Sequence, residues 1–303
     1  MTKFVAFAVT GSTSLLAESV HSLADTGNQA LLLLGRRRAR RAQTAEHPFG
    51  FGGERYFYAF VVAVVLFTVG GVFSLYEGWH KVSHPQPVRD PLIAFIILGI
   101  AVVLEGYSLR TAVTESNQVR GTRGIVAFIR RTKAPELPVL LLEDTAALVG
   151  LACALAGVTL AVITGNGTWD GVGSLAIGLL LVVVAVVLAI EMKSLLIGES
   201  ASAEIQRTIV AALQAGPEVE RVIHLRTMHL GPDSLLVAAK IAVRHDDTAT
   251  QIARGIDAAE SRVRKAVPIA ELIYLEPDLY SAAKADATDP AMRSVRPTTD
   301  HDP

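Results

Sequence analysis

Cysteine is almost absent from this sequence: Cys153 stands alone among 303 residues. A single thiol forms no intrachain disulfide, and neither a CxxC redox motif nor a cysteine zinc knuckle is possible. Set inside an apolar run, Cys153 reads as a small buried hydrophobe. Net charge is nearly absent too, with 28 Lys plus Arg against 29 Asp plus Glu. That balance removes the global electrostatic footprint of a nucleic-acid-binding protein. The opening stretch has no A-x-A-like cleavage site, so it reads as helix rather than as a secretory leader. Neither H-E-x-x-H nor G-x-S-x-G occurs in the apolar runs. An intramembrane hydrolase has no motif to rest on, and the chain reads as a non-enzyme without a cofactor.

What the chain has in quantity is apolar sequence in long runs. Hydrophobic residues make up 51% of it, an ordinary total, so the distribution decides more than the sum. Residues 57–76, 92–109, 137–163 and 171–191 each approach or exceed the length a helix needs to cross a hydrocarbon core. A fifth run, 14–35, is less apolar because it contains Glu18, His21 and Asp25. Before it lies a short piece, 4–9, ending in Thr10-Gly11-Ser12. Six residues rise only about 9 Å, too little to span, and the piece reads as the last turns of a truncated first helix. After about residue 200 the pattern becomes mixed and charge-rich, which marks a second, soluble domain.

Basic residues alternate between loops. Arg36, Arg37, Arg38, Arg40 and Arg41 follow the 14–35 run, and Arg110, Arg120, Arg123, Arg130, Arg131 and Lys133 follow 92–109. The loop after 57–76 holds only Lys81 and Arg89, and the 164–170 loop holds none. The positive-inside rule therefore predicts that the basic loops and everything after Lys193 are cytoplasmic. The expected location is the plasma (inner) membrane.

Ionisable groups inside spans cost roughly 2.5–3.5 kcal/mol each on insertion scales, so they default to functional candidates. His21 and Asp25 are one turn apart on one helix face. An imidazole nitrogen and a carboxylate oxygen so placed suit a divalent ion such as Zn²⁺, with ligand bonds of about 2.0–2.2 Å. Asp144, in the first half of another run, is the natural third ligand, and a fourth would come from Glu143, water or a neighbour. Glu143 projects about 100° away from Asp144 on a helix and is the lesser candidate. Glu18 reads as structural or as a guide for the incoming ion, and Glu105 as an arginine partner or a proton carrier. The competing reading of His21 and Asp25 is an interhelical hydrogen bond that only holds the bundle together.

At these residues the chain resembles the cation diffusion facilitator family of divalent metal transporters. The matching segments are Thr10-Gly11-Ser12 with Ala17-Glu18-Ser19-Val20-His21-Ser22-Leu23-Ala24-Asp25, then His47-Pro48-Phe49-Gly50-Phe51-Gly52, Leu142-Glu143-Asp144-Thr145-Ala146-Ala147-Leu148, and Ile273-Tyr274-Leu275-Glu276-Pro277. They run across residues 1–280. The resemblance implies an all-α polytopic membrane domain of six helices (the first truncated here) over residues 1–198. It also implies an α+β ferredoxin-like cytoplasmic dimerisation domain over 199–280, and a homodimer. It implies efflux of a divalent cation by proton antiport and alternating access. His21 and Asp25 match the ligand pair on the second helix, and Asp144 matches one member of the pair on the fifth; the other member falls on Leu140, which cannot ligate. The chain looks like the branch whose fifth helix carries an adjacent Glu-Asp. Zn²⁺ leads as cargo, with Mn²⁺, Co²⁺, Ni²⁺ and Fe²⁺ open, because raw affinity follows the Irving–Williams order at most N/O sites. The alternative is a transport-inactive dimeric membrane metal sensor or scaffold.

The soluble part is predicted as α-β-β-α-β. Helical spacing covers 203–214, and strands cover 219–230 and 235–243 around the turn Gly231-Pro232-Asp233-Ser234. A helix capped at Asp246-Asp247-Thr248 runs to Lys265, and a last strand covers 269–275. His224, His229 and His245 are expected as surface histidines rather than a metal site. The polar tail, 281–303, is expected to be disordered.

Overall fold

In a computed structural model the described residues are 2–11, 13–86, 88, 90–120, 124–125, 128–129 and 132–281. The predicted tail falls almost wholly outside them. The chain divides into two compact units: Met1–Arg38 with Glu54–Ser194, and Ala39–Gly53 with Leu195–Pro303.

The first unit is all helix. Its elements are α1 (Thr2–Thr10), α2 (Thr13–Ala39), α3 (Glu54–Ser83), α4 (Pro91–Arg120), α5 (Glu136–Thr164) and α6 (Thr168–Ile197). Helices α3 to α6 are long and apolar enough to cross a membrane. Gly11, at φ +66°, ends α1 with its N–H donating to the Phe7 carbonyl at 2.7 Å. That is the left-handed cap glycine adopts without a Cβ penalty. Helix α4 runs eleven residues beyond the predicted end at 109, through Arg110 and Glu115 to Arg120. Charge ends an apolar run without ending a helix, since Arg and Glu are good helix formers.

Helix α3 contains a π-helical stretch, Leu66–Val72. From its last turn onward, α3 and α6 approach backbone to backbone. A Cβ on Gly78 would stand 2.7 Å from the Leu175 nitrogen and 2.9 Å from the Gly171 carbonyl. One on Gly178 would stand 2.7 Å from the Leu75 nitrogen and 3.0 Å from the Gly71 carbonyl. Gly71 and Gly78 thus mesh with Gly178 and Gly171, the small-residue packing that membrane helices use where lipid is as apolar as leucine. One face of α4 points outward, with Ile96, Ile100, Val103, Leu104 and Tyr107 exposed, while Leu98 is fully buried.

The second unit is α+β. Helices α7 (Ala203–Gln214) and α8 (Ala249–Ala266) accompany strands β1 (Arg221–Gly231), β2 (Ser234–Ala242) and β3 (Leu272–Asp278) in the order β1-β2-β3. β1 pairs antiparallel with β2 through a tight turn, and β2 pairs parallel with β3, so α8 is the crossover. Inward residues alternate on β2 (Leu235, Val237, Ala239, Ile241) and pack with Ile209, Leu213, Ala259, Val263 and Ile273. Thr248 and Gln251 form a capping box at the start of α8. Arg262 of α8 donates to the Ala212 and Leu213 carbonyls at 2.9 and 3.2 Å, satisfying the free end of α7, and pairs with Glu218.

The segment 39–53 belongs to this second unit. Gly50 turns at φ +80°, and Gly52 rests on the β1–β2 turn, where a Cβ would meet the Leu230 carbonyl at 2.7 Å. His229 departs from expectation: it is buried, with Nδ1 3.4 Å from the Gly231 carbonyl. It is four residues from the buried Leu225, so strand alternation sets both on the inward face.

Candidate metal-transport site

Helix α2 carries His21 and Asp25, and their side chains, with that of Glu18, lie outside the described residues. The helix itself fixes their relation. Residues 21, 25 and 28 follow at intervals of four and three, so their Cβ atoms share one face. The third of them, Asn28, is fully buried. Its Nδ2 donates to Glu143 Oε1 of α5 at 2.7 Å. One turn from the His21–Asp25 pair, α2 and α5 are therefore joined.

Glu143 and Asp144 are both buried, 2% and 5% exposed, and they part company as adjacent helical residues must. Glu143 turns to α2. Asp144 turns to α4, where its Oδ2 accepts from Ser108 Oγ at 2.9 Å and Glu105 stands near enough to act on it electrostatically. Helix α5 thus presents one carboxylate to each neighbour. Among the described residues, no group of three His, Cys, Asp or Glu is gathered closely enough to hold an ion.

Two features frame the carboxylates. Leu140, where the family resemblance would put a ligand, packs with Leu109, Val113, Leu137 and Leu141 against Ala112 and Phe128. That position serves the α4–α5 contact. At the starts of α3 and α5, Arg55 makes a two-pronged bond to Glu136, with Nε 2.6 Å and the second nitrogen 2.8 Å from the two carboxylate oxygens. The planar fork fixes both distance and orientation, which a lysine would not.

A second buried charge sits elsewhere in the bundle. Lys81 of α3 is 4% exposed, lies 3.4 Å from the Gly11 carbonyl and feels the buried Asp170 of α6. It ties the α1–α2 turn to the glycine-packed pair α3–α6.

Asn28 and Ser108 were not singled out in the sequence, because neutral polar residues raise no alarm in an apolar run. A signal was available: each stands three residues after an acid, Asp25 or Glu105. In the second unit, Arg244 bonds Asp247 at 3.0 Å across the turn bearing His245 and Asp246.

The profile of the cation efflux transmembrane domain matches residues 1–197. The proton-coupled zinc antiporter SLC30A9, mitochondrial, of Mus musculus is 35% identical over 242 residues, covering 79% of this chain and 42% of that protein. Its Homo sapiens counterpart is 34% identical over 241 residues, again 79% and 42%. Metal tolerance protein C4 of Arabidopsis thaliana is 30% identical over 241 residues, 79% and 53%. The chain spans about half or less of the length of these relatives.

Proposed function

From the premise that this chain belongs to the cation efflux family, we propose that it exports a divalent cation, Zn²⁺ first, in exchange for protons. Residues 1–198 act as the transport domain and 199–280 as a cytoplasmic dimerisation domain of a homodimer. The membrane is the plasma membrane, with the basic loops on the cytoplasmic side. The reading is supported above all by the Asn28–Glu143 bond, which holds the acidic helix α5 against the His21–Asp25 helix at that level. The names of the mouse and human relatives, which specify zinc and proton coupling, point the same way.

The ion is the substrate. His21 and Asp25 bind it from α2, Asp144 joins from α5, and Glu143 is the lesser contributor. Each ligand must lose its proton before it can bind, so metal uptake releases protons and protons on the far side displace the metal. Asp144 must leave Ser108 to meet the ion. That rearrangement at the α4–α5 contact is the local step of alternating access.

The test is metal accumulation in proteoliposomes under an imposed pH gradient, comparing Zn²⁺, Mn²⁺, Co²⁺ and Fe²⁺. His21→Ala and Asp25→Ala are expected to abolish uptake while leaving expression and the detergent-solubilised size unchanged. Wild-type uptake by both variants would remove these residues from the site. Metal binding without transport by the unmodified chain would replace the exporter with a membrane sensor or scaffold.

A further inference from the structure

Resting on the transport reading, one buried atom carries the argument further. Asn28 is 0% exposed, and its amide nitrogen is spent on Glu143. The assignment of nitrogen and oxygen follows from chemistry, because an amide oxygen facing a carboxylate would be repelled. The amide oxygen, Oδ1, is then left with no hydrogen-bond partner. An unsatisfied acceptor in a dry helical interface costs about 1–3 kcal/mol. A hydrophobic side chain, or Ser paired to the backbone, would avoid that cost.

We propose that Asn28 and Glu143 form an oxygen-donor station for the divalent cation, one turn from Asp25 and two from His21, toward the arginine-rich end of α2. The amide explains the choice of residue, because it is both donor and acceptor. With the station empty, Nδ2–H caps the Glu143 carboxylate. With an ion present, the amide turns over, and Oδ1 and the carboxylate face the ion together. Each state satisfies one end of the amide: Nδ2–H when the station is empty, Oδ1 when it is filled. Aspartate would set two anions against each other when empty and hold the ion too firmly when full. Leucine would offer nothing.

The station also divides the labour of recognition. Carboxylate and carbonyl oxygens suit Mg²⁺, Ca²⁺ and Mn²⁺ as well as zinc, whereas imidazole suits Zn²⁺ and its transition-metal neighbours. Asn28 and Glu143 therefore strip water from divalent ions with little discrimination, and the imidazole of His21, two turns further along α2, selects among them.

Two measurements on the full chain test this. In the proteoliposome assay, Asn28→Leu is expected to raise KM for Zn²⁺ about tenfold with a smaller change in kcat, the scale seen when an outer ligand partner is removed. Asn28→Asp should lower both KM and kcat, binding the ion better and releasing it more slowly. A purely structural asparagine would give neither opposite-signed response, and an unchanged KM in a folded Asn28→Leu protein overturns the proposal. The second measurement is Mn²⁺ binding by electron paramagnetic resonance to purified protein carrying His21→Ala and Asp25→Ala. Weak binding that disappears on adding Glu143→Gln is expected; no Mn²⁺ binding in the double variant overturns the station. This arm reads the station even if the unmodified chain transports nothing, an outcome that would sink the exporter alone.

Discussion

The two units of this chain use apolar residues differently on their outer surfaces. In the first, large apolar side chains face both ways: Ile96, Val103, Leu104, Ile163, Val183 and Ile190 are exposed while Leu98, Leu151, Leu181 and Leu188 are buried, and α3 and α6 meet backbone to backbone at Gly71, Gly78, Gly171 and Gly178. In the second, Ile209, Leu213, Leu235 and Ile241 are fully buried, and the outward residues of the strands are largely polar or charged. The difference follows from the solvent. Water drives apolar surface inward at about 25 cal/mol per Å². Lipid offers no such drive between helices, so backbone proximity and buried polar bonds assemble the bundle instead. One consequence concerns function. A bundle held by a few polar bonds, such as Asn28–Glu143 and Ser108–Asp144, has joints that an ion can exchange, whereas a leucine core does not.

The strongest way to break this comparison is to put a large side chain into the glycine seam. In Gly78→Leu even the Cβ would collide with α6, at 2.7 Å from a backbone nitrogen that no rotamer can move. Overpacking typically costs about 1–3 kcal/mol, and a backbone collision exceeds that range. The expected result is loss of folded protein from the membrane, read as aggregation on size-exclusion chromatography. The same residue inserted at lipid-facing Val103 should be silent. A well-folded Gly78→Leu protein would mean the seam is incidental.

The converse cut is Leu235→Ala in the second unit. Leu235 is fully buried between the sheet and its helices. The expected loss is about 2–5 kcal/mol, the cost of a core cavity. Hydrogen exchange should rise across β1, β2 and β3 and leave the α3–α6 seam protected. Equal loss of protection in both units would show a single cooperative structure and erase the contrast.

How much of this was legible beforehand follows the same divide. The four spans were readable because lipid imposes length, and the soluble order α-β-β-α-β because alternation and capping are local signals. Helix ends were not: α4 continues past Leu109 because leaving the apolar run does not end helical propensity. The π-helical stretch at Leu66–Val72 was hidden as well, since nothing local distinguishes it from regular helix. At the site, Glu143 and Asp144 announced themselves as charges in a span. Their divergence was readable from helical geometry, but their partners were not. Asn28 and Ser108 gain meaning only when three helices are brought together.

The finest discrimination comes from a surface cation. Lys240 of β2 stands in register with Glu276 of β3, its Nζ 2.8 Å from Glu276 Oε1 and 3.4 Å from Asp278 Oδ2. The hydrogen bond to Glu276, then the charges of both carboxylates, hold the ammonium above its ordinary range. A pKa raised by folding gives stability that is fully present below the unfolded value, about 10.4, and lost as pH climbs through the folded one. Lys240→Gln should therefore lower the melting temperature of the second unit by a small, constant amount from neutral pH to roughly pH 9, and the gap should close only in the alkaline range above the lysine value. The effect is small because exposed ion pairs contribute little. It should also shrink with added salt, as screening requires. The aggregation of Gly78→Leu should respond to neither variable, because a steric collision carries no charge. If instead the two variants track pH and salt alike, the units are not held by different physics.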